Sequence, residues 1–177
     1  MIKQFEKVMA ANRGEIAVRI FRACNELGIK TMAVHSKEDS LSLFRSKADE
    51  SYMIGENLSP LAAYLDIERI VSLAKKKKVD AIHPGYGFLS ENPQFSKACA
   101  DAGIVFIGPP AEVLDRVGDK INAKKVAKEC GVPTIPGSAA PLQSAGEAAR
   151  LAEEFGYPVI LKASAGGGGR GLSLIHI

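Results

Sequence analysis

The sequence has no tryptophan, few aromatic residues (6%) and only 3 cysteines in 177 residues. Cys24, Cys99 and Cys130 are odd in number and far apart, which excludes a disulfide framework and a cysteine metal cluster. All three are expected as small residues on apolar helix faces in a reducing compartment. Long hydrophobic runs are missing too, and none approaches the roughly 18 residues of a membrane span. The opening Met-Ile-Lys-Gln-Phe-Glu-Lys has no signal-peptide apolar region, so a cytoplasmic protein is expected. Neither charge dominates, with Lys+Arg 23 against Asp+Glu 20, and this balance is too mild to argue for nucleic acid. What is present is globular composition, 46% apolar and 24% charged. The length suits one ordinary domain, or one domain and part of a second.

The first hundred residues alternate short apolar runs with helical periods. Val8 to Ala11, Thr31 to Val34, Tyr52 to Ile54, Ala81 to His83 and Val105 to Ile107 read as strands. Between them Ile16, Ala17, Ile20, Phe21, Cys24 and Leu27 recur at helical spacing until Gly28. Asp66 caps a helix carrying Ile67, Ile70, Val71 and Ala74, and Asn92-Pro93 opens one carrying Phe95, Ala98, Cys99 and Ala102. Strand and helix in alternation predict an α/β fold, a doubly wound parallel sheet covered on both faces.

After Gly108-Pro109-Pro110 the pattern changes. A helix near residues 111–117 precedes one with Ala123, Val126, Ala127 and Cys130 inward. The proline-punctuated stretch Val132 to Gly137 is a candidate boundary. Ser144 and Glu147 then make a capping box for a helix burying Ala148, Leu151, Ala152 and Phe155. Tyr157 to Ala163 reads as a strand, followed by Gly166-Gly167-Gly168-Gly169-Arg170-Gly171.

That glycine run, flanked by Lys162 and Arg170, carries the strongest chemical signal. Successive glycine N–H groups can converge on phosphate oxygens, and a lysine at the strand end adds a compact cation. A flexible linker is the competing reading. No Gly-Lys-Ser/Thr follows, so it is not a Walker loop. Asn12-Arg13-Gly14-Glu15 lies at a strand–helix turn where doubly wound sheets bind ligands. With one glycine it supports a dinucleotide poorly, and a tight turn with Arg13 in an ion pair explains it equally well. His83 and Ser90 have no triad partner in view, which excludes a hydrolase; His83 and His35 read as hydrogen-bonded structural histidines. Lys75 to Lys78 read as a solvated helix end.

Together the motifs resemble one family. Ala11-Asn12-Arg13-Gly14-Glu15-Ile16-Ala17, His83-Pro84-Gly85-Tyr86-Gly87-Phe88-Leu89-Ser90-Glu91-Asn92, Phe106-Ile107-Gly108-Pro109, Gly118-Asp119-Lys120 and residues 162–171 match biotin carboxylases in order and spacing. The resemblance implies an ATP-grasp ligase that activates bicarbonate with ATP and carboxylates biotin on a carrier domain. It implies a Rossmann-like pre-ATP-grasp domain over residues 1–117 and a truncated start of the ATP-grasp domain over 118–171. Lys120 resembles the hinge lysine on ATP, Lys162 the strand lysine on its phosphates, and Gly166, Gly167, Gly168 and Gly169 the lid loop. The groups that hold Mg²⁺, bicarbonate and biotin are expected beyond residue 171, leaving the fragment inactive. A carboxyltransferase domain and a homo-oligomer are implied for the intact enzyme, with neither nucleic acid nor membrane as partner. Stretches such as Val34 to Asp39 and Ala63 to Glu68 look more like the pyruvate carboxylase branch than the acetyl-CoA carboxylase subunit. A different ATP-grasp ligase fits the string 83–92 less well, and a non-catalytic Rossmann-type binding module leaves the lysine-flanked glycines unexplained.

The chain departs from the family at Leu172-Ser173-Leu174-Ile175-His176-Ile177, where a strand opening on methionine and a basic residue is expected. The six residues read either as a divergent strand or, since CTG-TCT-CTT-ATA-CAC-ATC of a transposase adapter encodes them, as an adapter-derived tail over 172–177, the reading favoured here.

Overall fold

A strand that is apolar on both sides can be buried only in a sheet with both faces covered, and the first strand takes that position. The computed structural model describes residues 4–118, 120–138, 140–162 and 172–175. Strand β1 (Lys7–Ala10) lies at the centre of a five-stranded sheet with β2 (Lys30–His35), β3 (Glu50–Met53), β4 (Ala81–His83) and β5 (Val105–Phe106). The order is β3-β2-β1-β4-β5 and every pairing is parallel, with Val8 opposite both Thr31 and Ala81.

Alternation along the strands feeds two cores. Val8, Ala10, Ala33 and Ala81 face helix α1 (Gly14–Glu26), which contributes Ala17, Ile20, Phe21 and Cys24, and Phe44 from a 3₁₀ turn at Leu43–Lys47. Small strand residues on this face leave room for Phe21 and Phe44, each 1% exposed. Met9, Met32, Val34 and Ile82 face the other way, onto Tyr64 of α2 (Pro60–Leu65), Ile70 and Ala74 of α3 (Ile67–Lys76), and Phe95 and Cys99 of α4 (Pro93–Asp101). Burying each large side chain of this kind is worth about 1.5–3 kcal/mol. The doubly wound parallel sheet is therefore the observed fold.

The caps follow the sequence. Asp66 accepts from the Arg69 N–H and Asn92 from the Phe95 N–H, with Pro93 in the first turn of α4. Two elements are additions: α2 and the 3₁₀ turn are too short for periodicity to reveal. Leu27 is a correction. It shares the helical spacing of the α1 apolar face, but it lies past the last helical residue and is 75% exposed.

The chain divides into two compact units, Met1–Asp115 and Arg116–Ile177, and the division falls within α5 (Ala111–Gly118). The second unit holds α6 (Lys120–Glu129), α7 (Ala145–Phe155), and the antiparallel pair β6 (Val159–Lys162) and β7 (Leu172–Ile175). Ser144 accepts from the Glu147 N–H as a cap should, but the Glu147 carboxylate returns to the N–H of Gln143 rather than of Ser144. Cys130 and Phe155, expected to face inward, are exposed, because each stands at or beyond its helix's last residue. Residues 172–175 form a strand, as the divergent-strand reading has it, and pair with β6 from Lys162↔Leu172 to Val159↔Ile175.

Candidate functional site

The chain leaves β1 towards β2 on one side and returns to β4 on the other, so the carboxyl ends of β1 and β4 flank the switch point where such sheets take ligands. Here the protein fills that crevice itself. Asn12, 3% exposed, donates from Nδ2 to the carbonyls of Pro84 at 2.7 Å and Tyr86 at 2.8 Å. Its Oδ1 accepts from the Arg13 N–H at 2.8 Å, so its donors and its acceptor are all engaged. Gly85 makes the approach possible: a Cβ there would lie 2.7 Å from Asn12 Nδ2, and its φ of +68° is glycine territory. The Asn12 side chain is committed to the protein's own backbone and the turn carries a single glycine, so the geometry adds no support to the dinucleotide reading.

Arg13 takes the ion-pair role. Its Nη1 donates to Asp39 Oδ2 at 2.9 Å, and the same oxygen accepts from Tyr64 Oη at 2.7 Å. Ser42 Oγ donates to Asp39 Oδ1 at 3.0 Å, and the Ser36 N–H donates to Tyr64 Oη at 3.2 Å. Burial pushes the Asp39 carboxyl up, but the Tyr64 and Ser42 hydroxyls and the Arg13 guanidinium outweigh it and hold the group below the ordinary carboxylate range. Burial and the Asp39 bond together keep the Tyr64 phenol protonated.

The loop over the crevice, residues 83–92, is pinned from beneath. Gly85, Gly87 and Phe88 all have positive φ, Phe88 stacks on Tyr64 with centroids 5.1 Å apart, and Leu89 is 2% exposed. His83 Nδ1 accepts from the Gly85 N–H at 3.0 Å, and burial lowers its pKa, so the ring is neutral. His35 is buried with Nδ1 3.0 Å from the Ser36 carbonyl, which can only accept, so that nitrogen carries the proton. Both histidines thus have the structural roles expected of them. On the outer side, Tyr86 is 63% exposed and donates its hydroxyl to Glu15 Oε2 at 3.0 Å.

Lys162 ends β6 with its side chain exposed and has no ion-pair partner among the described residues. Lys120 opens α6, but its side chain lies outside the described residues, as do Gly166, Gly167, Gly168 and Gly169. Among the described residues no three His, Cys, Asp or Glu side chains come together as a metal site. No described helix is long and apolar enough to cross a membrane. The lysine cluster forms the end of α3, where Lys77 Nζ stands 4.0 Å from the Tyr52 ring centroid while Lys75, Lys76 and Lys78 are exposed. Asp39 and Tyr64 were not legible as partners: Asp39 sits in a polar run, and nothing local ties it to a tyrosine 25 residues on.

Two family models match the chain in succession: the biotin carboxylase N-terminal domain over residues 4–114, and the ATP-binding domain of the carbamoyl-phosphate synthase L chain over 119–176. The pyruvate carboxylase of Bacillus subtilis is 56% identical over 174 residues, 98% of this chain and 15% of that protein. The 2-oxoglutarate carboxylase small subunit of Hydrogenobacter thermophilus is 55% identical over 170 residues, 96% of this chain and 36% of that subunit. The crystal structure of the biotin carboxylase domain dimer of the Hydrogenobacter thermophilus 2-oxoglutarate carboxylase, in complex with MgADP, ADP and bicarbonate, superposes with a TM-score of 0.91 at 53% identity, over 98% of this chain and 38% of that one. The chain therefore spans well under half the length of these relatives.

Proposed function

Because the chain belongs to the biotin carboxylase family, we propose that it forms the N-terminal part of an enzyme that uses ATP to join bicarbonate to carrier-bound biotin, giving carboxybiotin, ADP and phosphate. The observation that carries this reading is the succession of the two family matches along one chain. The branch is that of pyruvate carboxylase, supported by the 56% identity to the Bacillus subtilis protein. A 2-oxoglutarate carboxylase is the second reading, favoured by a 55% identity. The match of an ATP-binding domain model to residues 119–176 speaks against the non-catalytic Rossmann-type binding module.

In this reading ATP supplies the phosphoryl group, and the second unit handles its charge. Phosphoryl transfer depends on neutralising the phosphate oxygens. Lys162 suits that role, being an exposed cation at a strand end, unclaimed by any described carboxylate. Lys120 takes the same role, and Gly166, Gly167, Gly168 and Gly169 supply backbone N–H groups as the lid. Mg²⁺, bicarbonate and biotin are held by residues beyond 171, and the carrier and carboxyltransferase domains belong to the longer protein, an oligomer.

Bicarbonate-dependent ADP release from MgATP and free biotin tests the proposal. The 177-residue chain should give no turnover above a blank. The same segment exchanged for the matching 174 residues of the Bacillus subtilis enzyme should support it. A folded, inactive chimera rejects the assignment; turnover by the isolated chain rejects the placement of the missing groups.

A further inference from the structure

The β1–α1 turn, the connection 36–42, α2 and the loop 83–92 come from four separate stretches of sequence, and a closed circuit of side-chain contacts joins them. Asn12 Nδ2 holds the carbonyls of Pro84 and Tyr86. The next residue, Arg13, reaches the other way, to Asp39 Oδ2 at 2.9 Å. That oxygen also accepts from Tyr64 Oη at 2.7 Å, and the Tyr64 ring stacks on Phe88, which returns the circuit to the loop where it began. Asn12, Asp39 and Tyr64 are all buried, so each link is made out of reach of bulk water. Phe88 adds a strained element. Its φ of +41° follows Gly87 at +66°, and a phenylalanine keeps such a backbone only where its surroundings enforce it. When Tyr64 shifts, residues 87–88 relax, and the turn bonds from the Ser90 N–H to the Gly87 carbonyl and from the Asn92 N–H to the Leu89 carbonyl go with them. On the opposite side, the Ser42 N–H donates to the Asp39 carbonyl at 2.9 Å and Ser42 Oγ to its carboxylate, so release of Asp39 opens that turn too.

We propose that this circuit makes the connection 36–42 and the loop 83–92 one cooperative unit, which opens and closes as a whole while the sheet beneath stays folded. The Asp39 carboxylate thereby governs a loop 44 residues further along the chain, through the Tyr64 ring. Coupling of this kind is reciprocal: whatever closes on either segment shifts the other by the same factor. The inference stands on the first unit's geometry and is independent of the biotin carboxylase reading.

Amide hydrogen exchange of the 177-residue chain, resolved residue by residue by NMR, reads both halves of the unit. In the wild type the Ser42, Ser90 and Asn92 amides should share one opening equilibrium, more open than that of β1 and β2. Tyr64→Phe removes the hydroxyl link and leaves the stacked ring in place. It should speed the Ser42, Ser90 and Asn92 amides together, by about five-fold or more. Phe88→Leu breaks the stack from the other end and should speed Ser42 by the same factor as Ser90. Should either variant lose the protection of the sheet, Asp39→Asn, which keeps the side chain's size and an acceptor oxygen, makes the same test on Ser90. Faster exchange confined to the half that carries the substitution overturns the proposal, because the two segments then open separately. A single rate shared in the wild type by these amides and those of β1 overturns it as well, since only global unfolding would then expose them.

Discussion

Replacing Asp39 with alanine should cost the first unit about 2–4 kcal/mol of folding stability, and the sum can be built from its contacts. The carboxylate accepts from Arg13, Tyr64 and Ser42 at 2.9, 2.7 and 3.0 Å. The Arg13 side chain is 47% exposed, so its bond is replaced by water and contributes about 1 kcal/mol or less. Ser42 is only half-buried and also recovers a water. Tyr64 is different. It is 1% exposed, and without Asp39 its hydroxyl proton has no acceptor, a penalty of about 1–3 kcal/mol. Asp39→Asn keeps an acceptor and the side chain's size, and should lose roughly half as much. Tyr64→Phe removes the orphan, so the double variant Asp39→Ala/Tyr64→Phe should cost less than the sum of the single changes.

Urea unfolding followed by far-UV circular dichroism measures these differences. An Asp39→Ala protein within about 0.5 kcal/mol of wild type would refute the claim that the buried phenol depends on this carboxylate. The pH dependence has a fixed sign. The folded-state pKa of Asp39 lies below its unfolded value of 3.8, so its contribution is complete above that value and is lost as pH falls through the folded pKa. Asp49, held down by the Thr31 hydroxyl and N–H, acts in the same direction. The stability gap between wild type and Asp39→Ala should therefore narrow, without closing, only in strongly acidic solution.

Three further outcomes follow from the geometry. Gly55→Ala places a Cβ 2.4 Å from the Ala63 Cβ and 2.8 Å from its Cα, at a φ of +64°, and should cost about 2–4 kcal/mol; Gly28→Ala, with nothing within 4 Å, should cost about 1 kcal/mol in the same urea titration. Cys130 is exposed and should react with a thiol reagent in the native chain, whereas Cys99, fully buried and with its pKa pushed up to about 11, should react only on unfolding. In the full-length carboxylase, Lys162→Ala should weaken MgATP binding by about 1.5–3 kcal/mol, with Lys120→Ala acting in the same direction and non-additively; unchanged affinity by calorimetry would reject both roles.

The legible parts of the fold were those whose cause is local. A run such as Val8 to Ala11 can only be a strand buried on both sides, and Asp66 or Asn92 ahead of a periodic segment signals a cap by its own chemistry. The parts that stayed hidden depend on distant residues. Short α2 has no periodicity of its own, and its Tyr64 owes its place to contacts with β2 and with Phe88. Leu27, Cys130 and Phe155 show the opposite error: spacing extends an apolar face past the point where the helix stops. The glycine run carried its signal in composition alone, as did Lys162, while the pairing of Asn12 with carbonyls 72 and 74 residues away has no trace in either local sequence.

The filled crevice also shows why topology alone is a poor guide to ligand. A β3-β2-β1-β4-β5 parallel sheet would ordinarily direct a search for a nucleotide to the end of β1. A dinucleotide needs glycine at that turn so that free N–H groups can reach the pyrophosphate. This chain instead places Asn12 there, whose side chain spends those interactions on its own backbone, and Arg13, whose charge is matched by Asp39. The one glycine of the turn, Gly14, serves to start α1 at a φ of +62°. What remains is a parallel sheet carrying a loop that Asn12 holds by two hydrogen bonds, with the exposed cation Lys162 belonging to the other unit. The same topology that elsewhere holds a cofactor here commits the Asn12 amide and the Arg13 charge to the fold itself, so the ligand has to be read from side chains and not from strand order.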